Sequence, residues 1–410
     1  MNKVPAARSG SKEERANQRN AVLAGFLGWT LDAFDFFILV FVLVPVAHEF
    51  HRPVKDIALT LTASLAFRPV GAALFGFMAD RWGRRVPLML DIIFYSVVEV
   101  ASGLAPNYTV FLILRAIYGI GMGGEWGVGA SLAMESAPER WRGLLSGMLQ
   151  EGYACGYLVA AVVYAAVFPH WGWRPLFFIA GIPALLVLFV RVKVKEPEAF
   201  KTSRAADWKS YWGVIRKNWK RFAYIVLLMT MMNLLSHGTQ DLYPTFLHLQ
   251  RGFSPGTVAT ITVISMIGAI LGGLAFGFFS DRSGRRRSMI IAVIAAVVVI
   301  PLWVYGHSLG VLMLGAFLMQ FMVQGAWGVI PAHLNELSPG ALRGFFPGFA
   351  YQVGVLFASS VEYIEATMAE HLGYGGALAL LALAVLVGAA IVIAAGPEAR
   401  GVSFVKVDGG

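Results

Sequence analysis

Cysteine is all but missing from these 410 residues: Cys155 is the one thiol, so no disulfide can form within the chain. Charge is scarce as well. Charged residues make up 14% of the chain and hydrophobic ones 57%, with a mean hydropathy of +0.66, which is too apolar for a soluble chain of this length. No Ser-His-Asp constellation, His/Cys metal-ligand spacing or phosphate-cradling loop followed by Lys-Ser/Thr occurs, which argues against an enzyme and against any cofactor. The Gly119-x-Gly121-x-Gly123-Gly124 stretch is glycine-rich, but it lies within an apolar run and reads as close helix packing. Met1–Asn20 is polar and mixed in charge, so a cleavable signal peptide is not expected there.

What the chain has in quantity is long apolar runs. Stretches of about 20 apolar residues give candidate spans near 21–47, 57–79, 86–105, 109–134, 142–166 and 173–192, then near 221–248, 258–280, 287–306, 310–334, 343–368 and 373–395. With both termini placed in the cytoplasm, 27 of the 33 Lys and Arg fall inside and 4 outside, while Arg68 and Arg115 lie within spans. That asymmetry orients the chain by the positive-inside rule. The formal charge of +9 is therefore a topology signal, and the expected partner is the lipid bilayer rather than nucleic acid. The reading is an all-α membrane protein of the inner or plasma membrane with twelve spans and both termini cytoplasmic. Its expected parts are a tail at 1–20, a six-helix bundle at 21–192, a polar linker at 193–220, a second six-helix bundle at 221–395 and a tail at 396–410. It is expected to function as a monomer.

The two bundles carry one internal layout. Gly76-Phe-Met-Ala-Asp80-Arg81-Trp-Gly83-Arg84-Arg85 recurs 201 residues later as Gly277-Phe-Phe-Ser-Asp281-Arg282-Ser-Gly284-Arg285-Arg286. The same shift places Trp126, Glu135, Arg142, Gly143 and Gly147 on Trp327, Glu336, Arg343, Gly344 and Gly348. Twelve spans in a 6+6 arrangement, with Gly-x-x-x-Asp-Arg-x-Gly-Arg-Arg after spans 2 and 8 and Arg115-Ala-Ile-Tyr-Gly119-Ile-Gly121 in span 4, resembles the major facilitator superfamily. The resemblance implies two pseudo-symmetric bundles that rock about a central site.

Asp80 and Asp281 sit at the inner ends of their helices, within reach of backbone N–H groups and of arginines such as Arg84 and Arg285. Glu135 and Arg142, with their repeats Glu336 and Arg343, are natural partners at the same level. These eight residues suit a gate that holds the inner side shut and breaks when the bundles rock. The same charges also fit a role confined to topology and helix capping.

Substrate choice is expected from polar groups at mid-depth, where ionisable side chains are costly. Arg68 lies about eleven residues from either end of span 2, roughly 16 Å along the axis, and an unpaired arginine there costs at least ~2.5–3.5 kcal/mol. It calls for an anion: the carboxylate of a substrate, gripped by two parallel hydrogen bonds, or a resident Asp32, Asp35 or Glu125. Span 7 adds a polar stripe, with Asn233, Ser236, His237, Gln240 and Asp241 within about 140° of one helix face. His237 and Asp241 are one turn apart and can share a proton. Pro244 follows and should weaken the hydrogen bond to the Gln240 carbonyl, giving a hinge.

Asn233-x-x-Ser236-His237-x-Thr239-Gln240-Asp241-x-x-x-Thr245 resembles the signature of lactate and pyruvate proton symporters in the sialate:proton symporter branch. By that resemblance His237 and Asp241 handle substrate and proton, Asn233 and Gln240 line the path, and Arg68 matches a span-2 arginine associated with the carboxylate. Asp32-Ala-Phe-Asp35 looks like an element of several organic-acid symporters. Under the shift Asp32 and Asp35 fall on Asn233 and Ser236, while Glu125 falls on Ala326 and so is not required by the architecture. Asp32, Asp35, Glu125, His237 and Asp241 are the candidate proton carriers; Gln150, Glu151, Gln352 and Glu362 are further polar candidates. The expected activity is symport of one proton with one small monocarboxylate. Sialate or an aromatic acid is the alternative cargo, and a non-transporting receptor on a transporter scaffold is the alternative of another class.

Overall fold

The computed structural model describes residues 12–203 and 208–404, which are helical throughout apart from short turns and contain no strand. The long helical segments are α1 (Lys12–Glu49), α2 (Val54–Trp82), α3 (Arg85–Gly103), α4 (Tyr108–Ser136), α5 (Glu139–Trp171), α6 (Arg174–Lys193), α7 (Trp219–Gln250), α8 (Pro255–Ser283), α9 (Arg285–Tyr305), α10 (Leu309–Leu337) and α11 (Phe346–Ala395). Two short helices, Glu198–Ser203 and Trp208–Lys217, lie between α6 and α7. The expected tails and linker fall partly outside the described residues, at 1–11, 204–207 and 405–410. Where it is described, the N-terminal tail is already helix from Lys12, nine residues before the apolar run begins.

By length and apolarity ten of these segments can cross a membrane, rather than the twelve read from the sequence. Two physical reasons account for the difference. Helix α4 falls short in apolarity because it carries Arg115, Glu125, Glu135 and several glycines, charges that protein encloses, since Gly121 through Glu135 is buried without interruption. Helix α11 is a 50-residue run that breaks twice, at Ser359–Ser360 and at Gly373, where φ is +69°. The second break falls on the first residue of the expected span 373–395, just past the gap that separates it from 343–368. The expected hinge in α7 is a visible break as well. The first helix ends at Gln240, a turn follows at Asp241–Leu242, and Phe246–Gln250 continues with π-helical bonding beyond Pro244.

The 201-residue shift is reproduced in the backbone. It carries α4 onto α10 at both ends, and Gly83 (φ +99°) onto Gly284 (φ +98°) at the sharp turns into α3 and α9. It also carries one close contact onto another. A Cβ on Gly71 would sit 1.6 Å from the Ile120 carbonyl oxygen, and one on Gly272 would sit 2.0 Å from that of Phe321. Helices α2 and α4, and likewise α8 and α10, thus meet backbone to backbone, which only glycine permits. Between the two sets, α5 packs on α8 through Gly143 and Gly277, and α2 packs on the start of α11 through Gly76 and Gly344.

Candidate functional site

On the side that carries the linker, two charge knots repeat each other. Arg84 donates to Asp80 Oδ1 at 2.9 Å and to both Glu135 oxygens at 2.8 and 3.1 Å. Arg285 does the same with Asp281 at 2.9 Å and Glu336 at 2.9 and 3.0 Å. Each aspartate also reaches across to the other half. Asp80 accepts the N–H groups of Gly344 and Phe345 at 2.6 and 3.1 Å, and Asp281 accepts those of Gly143 and Leu144 at 2.7 and 3.0 Å. Free N–H groups at a helix start favour an anion there. Tyr211 adds a hydrogen bond to Asp80 Oδ2 at 2.9 Å.

Pairing between glutamate and arginine differs from the same-level reading of the sequence. Arg142 bonds Glu336 of the other half at 3.1 Å, and Arg343 lies 3.8 Å from Glu135. Each glutamate therefore takes one arginine from its own half and faces one from the other. Between Arg142 and Arg343 sits the ring of Phe404, 3.8 and 3.9 Å from the two guanidinium carbons, and Arg142 donates to the Val402 carbonyl at 2.9 Å. Outside the spans, Glu196 accepts the N–H groups of Arg84 and Arg85, and Glu398 accepts those of Arg285 and Arg286. Burial pushes the Glu196 carboxyl up, and the N–H bonds offset only part of it. At Glu398 burial also acts upward, but N–H groups of Arg400, Arg285, Arg286 and Ala399 outweigh it and hold the carboxyl below its ordinary value.

Contact between the halves continues along α4. Glu135 is in the knot, Ser131 bonds the Arg343 carbonyl, and Gly127 touches Gly348. Trp126 packs on Tyr351 with ring centres 4.7 Å apart, and Trp29, Tyr153 and Trp327 complete an aromatic cluster. From Glu135 to Glu125 the closed stretch is roughly 15 Å of helix. The linker side is shut.

Beyond that cluster lie the mid-depth charges. Arg68 is 5% exposed; its nearest acid is Asp32, at 3.9 Å, too far for a hydrogen bond, and its Nε and Nη2 have no acceptor. Asp32, Asp35 and Glu125 are fully buried on α1 and α4, and none of their carboxylate oxygens has a hydrogen-bond partner. Glu125 lies against Gly28, where a Cβ would come within 2.1 Å of its Oε1. Arg115, the other arginine within a span, is paired with Glu99 and donates to Ser102 at 2.6 Å, a closed structural pair.

On α7 the polar stripe divides. Asn233 turns back to the Met229 carbonyl at 2.7 Å and is buried, while Gln240 donates to Gln320 on α10 at 2.7 Å. His237 Nδ1 lies 2.8 Å from Asp241 Oδ2, and these side chains are 36% and 31% exposed, so this end of the site is open to solvent. Glu362, at the first break in α11, faces the same pair. Spacing along the chain marks Glu362 only as a further polar residue and does not reveal the aromatic cluster, whose five rings come from five segments.

The family model described as Major Facilitator Superfamily matches residues 25–254. The chain belongs to the major facilitator superfamily. A second model of the superfamily's transporters, Sugar (and other) transporter, matches residues 257–400. This chain is a multi-pass membrane transporter and not an enzyme. It is similar to the carboxylic acid transporter protein homolog of Saccharomyces cerevisiae, 32% identical over 379 residues, covering 86% of this chain and 61% of that protein's length. The sialic acid transporter NanX of Escherichia coli is 28% identical over 378 residues, covering 91% of this chain and 93% of its own. The cis,cis-muconate transport protein of Acinetobacter baylyi is 28% identical over 370 residues, covering 88% and 89%. Among solved structures, the proton:xylose symporter XylE superposes with a TM-score of 0.77 at 19% identity, covering 95% of this chain and 98% of that one, a likeness of fold.

Proposed function

We propose that this transporter moves a small monocarboxylate of the lactate and pyruvate class together with one proton, by rocking two six-helix bundles (21–192 and 221–395) about Arg68. In this reading both termini and the 193–220 linker are cytoplasmic, the chain crosses the membrane twelve times, and it works as a monomer. The observation that carries it is Arg68: a buried guanidinium 3.9 Å from its nearest acid and with unused donors. Arginine meets a carboxylate with paired hydrogen bonds, and the cost of leaving it unpaired at that depth, at least ~2.5–3.5 kcal/mol, falls when cargo supplies the anion.

With the knots closed, the site faces outward. A proton taken by His237, Asp241 or one of Asp32, Asp35 and Glu125 removes a negative charge that competes for Arg68. A monoanion can then bind, and the loaded site carries the same net charge as the empty one. Rocking opens the knots of Asp80, Arg84, Glu135 and Arg142 with Asp281, Arg285, Glu336 and Arg343, and higher internal pH releases the proton. Asn233 and Gln240, both tied to protein, shape the wall of the path.

Sialate or an aromatic acid is the second reading of the cargo. Its sialate form is favoured by a relative that is named for sialic acid and that aligns along most of its length. Uptake of labelled lactate, sialate and benzoate into proteoliposomes under an imposed pH gradient distinguishes them. The expected result is acid-driven uptake of lactate over the larger acids. Uptake that follows Na⁺ and ignores pH removes proton coupling, and preference for sialate transfers the proposal to the second reading.

A further inference from the structure

The open end of the site holds more acid than the transport cycle uses. One ligand atom from each of His237, Asp241 and Glu362 lies within 4.8 Å of the other two. Two helices supply them: His237 and Asp241 from the broken part of α7, and Glu362 from the residues just past the first break in α11. Behind them, one turn along α11, is Glu365. It is fully buried, neither carboxylate oxygen has a hydrogen-bond partner, and its charge acts on Asp241 and Glu362. The other charged or titratable groups facing the cluster are Arg68 from α2 and Tyr153 from α5. Among the described residues, no Lys or Arg forms an ion pair with Asp241, Glu362 or Glu365. Three carboxylates and one imidazole therefore share a small volume without a bonded cation.

We propose that this cluster binds a divalent transition-metal cation of the zinc class, with His237, Asp241 and Glu362 as its protein ligands. One imidazole nitrogen and two carboxylates, with a position left for water, is a donor set that suits Zn²⁺, whereas Mg²⁺ and Ca²⁺ take oxygen ligands. Ligand atoms bound at about 2.0–2.2 Å in a tetrahedral site lie roughly 3.4 Å apart, so a pair at the 4.8 Å limit must close by roughly 1.4 Å, while His237 Nδ1 and Asp241 Oδ2, now 2.8 Å apart, must part slightly. The chain can supply that movement. Glu362 is an exposed side chain, and Asp241 lies in the turn that interrupts α7. Glu365 supplies a further carboxylate beyond the ligands and adds to the charge that holds the ion. Because the ligands must be deprotonated, protons and metal compete for the cluster. Binding itself is independent of the proposed cargo; that the ion also blocks acid uptake, by withdrawing His237 and Asp241 from proton handling, rests on the proton-coupling reading.

The test uses the full-length protein in detergent or nanodiscs. Zn²⁺ binding is followed by calorimetry, and Co²⁺ serves as a probe whose visible absorption reports nitrogen and oxygen ligation. One saturable Zn²⁺ per chain at micromolar concentration is expected, with affinity falling by ~10-fold or more from neutral pH to about pH 6. Glu362→Gln and His237→Gln are each expected to weaken binding by at least ~10-fold, and Glu365→Gln by less. Arg68→Lys is expected to keep the ion, which separates this site from the carboxylate reading: wild-type protein that binds Zn²⁺ yet takes up no acid when free of the ion upholds the site and sinks the cargo proposal. Binding unchanged in both Glu362→Gln and His237→Gln, or absent at micromolar Zn²⁺ in wild-type protein, overturns the inference.

Discussion

The two halves agree at the linker side and part company at the centre. The knots Asp80–Arg84–Glu135 and Asp281–Arg285–Glu336 match bond for bond, within a few tenths of an ångström. At mid-depth the first half buries Asp32, Asp35, Asp91, Glu99 and Glu125 with Arg68 and Arg115. The 201-residue shift carries these seven onto Asn233, Ser236, Ala292, Ile300, Ala326, Ala269 and Ala316, none of them charged. In return, His237, Asp241, Glu362 and Glu365 fall on Phe36, Val40, Ala161 and Tyr164. Under the proposed rocking two matching latches are needed, and the repeat keeps both knots. Binding one small cargo needs one cation and one set of proton carriers, and a second copy of buried charge would only add desolvation cost.

The sharpest probe of the asymmetric centre is Arg68→Lys. It keeps the charge and removes the planar two-pronged donor, so initial rates of acid uptake should fall on the order of 100-fold, equivalent to about 2.7 kcal/mol. Wild-type uptake by this variant breaks the claim that the centre of the first half holds the cargo.

Asp80→Asn and Asp281→Asn test how equal the latches are. Each removes charge-assisted bonds, typically about 1.5–3 kcal/mol apiece, and each should open the linker side. Asp80 also accepts from Tyr211, and no equivalent bond to Asp281 is seen among the described residues. Asp80→Asn should therefore open it further. Spin-label distances between Trp82 and Ser283, equivalent linker-side positions, measured in a Cys155→Ser background, report the change. Equal shifts would restore full symmetry.

The smallest expected effect separates Glu196 from Glu398. Glu196 has a pKa above the ordinary 4.5, so its cap on Arg84 and Arg85 weakens as pH falls through that raised value. Glu398 has a pKa below 4.5, so its cap on Arg285 and Arg286 is complete above 4.5 and is lost only in stronger acid. Amide exchange, corrected for intrinsic rate, should quicken at the start of α3 before the start of α9 on acidification. The reverse order would contradict the burial difference.

The duplicated charge knot was legible because glycines and charges recur at one spacing, and a positive φ or a backbone contact admits few substitutes. The exchange of Arg142 and Arg343 between halves was not, since spacing along a chain does not say which copy of a repeated partner is nearer in space. Helix α4 was legible as an apolar run but not as the enclosed one. Its position follows from contacts of Gly119 and Gly123 with α2 and of Gly127 with α11. Arg68 stood out because a charge inside an apolar stretch is conspicuous alone. Glu362 and Glu365 did not, because only the breaks in α7 and α11 bring them beside His237.

Phe404 is the keystone of a small arch whose two piers, Arg142 and Arg343, repel each other and belong to the two bodies that the proposed rocking would separate. A ring held between two cations contributes on the order of 0.5–2 kcal/mol per face, and in the proposed cycle it slips free of at least one pier on every turnover. A reporter or purification handle fused just after it hangs its load from that arch. Transport rates measured on such fusions will report the handle as well as the carrier.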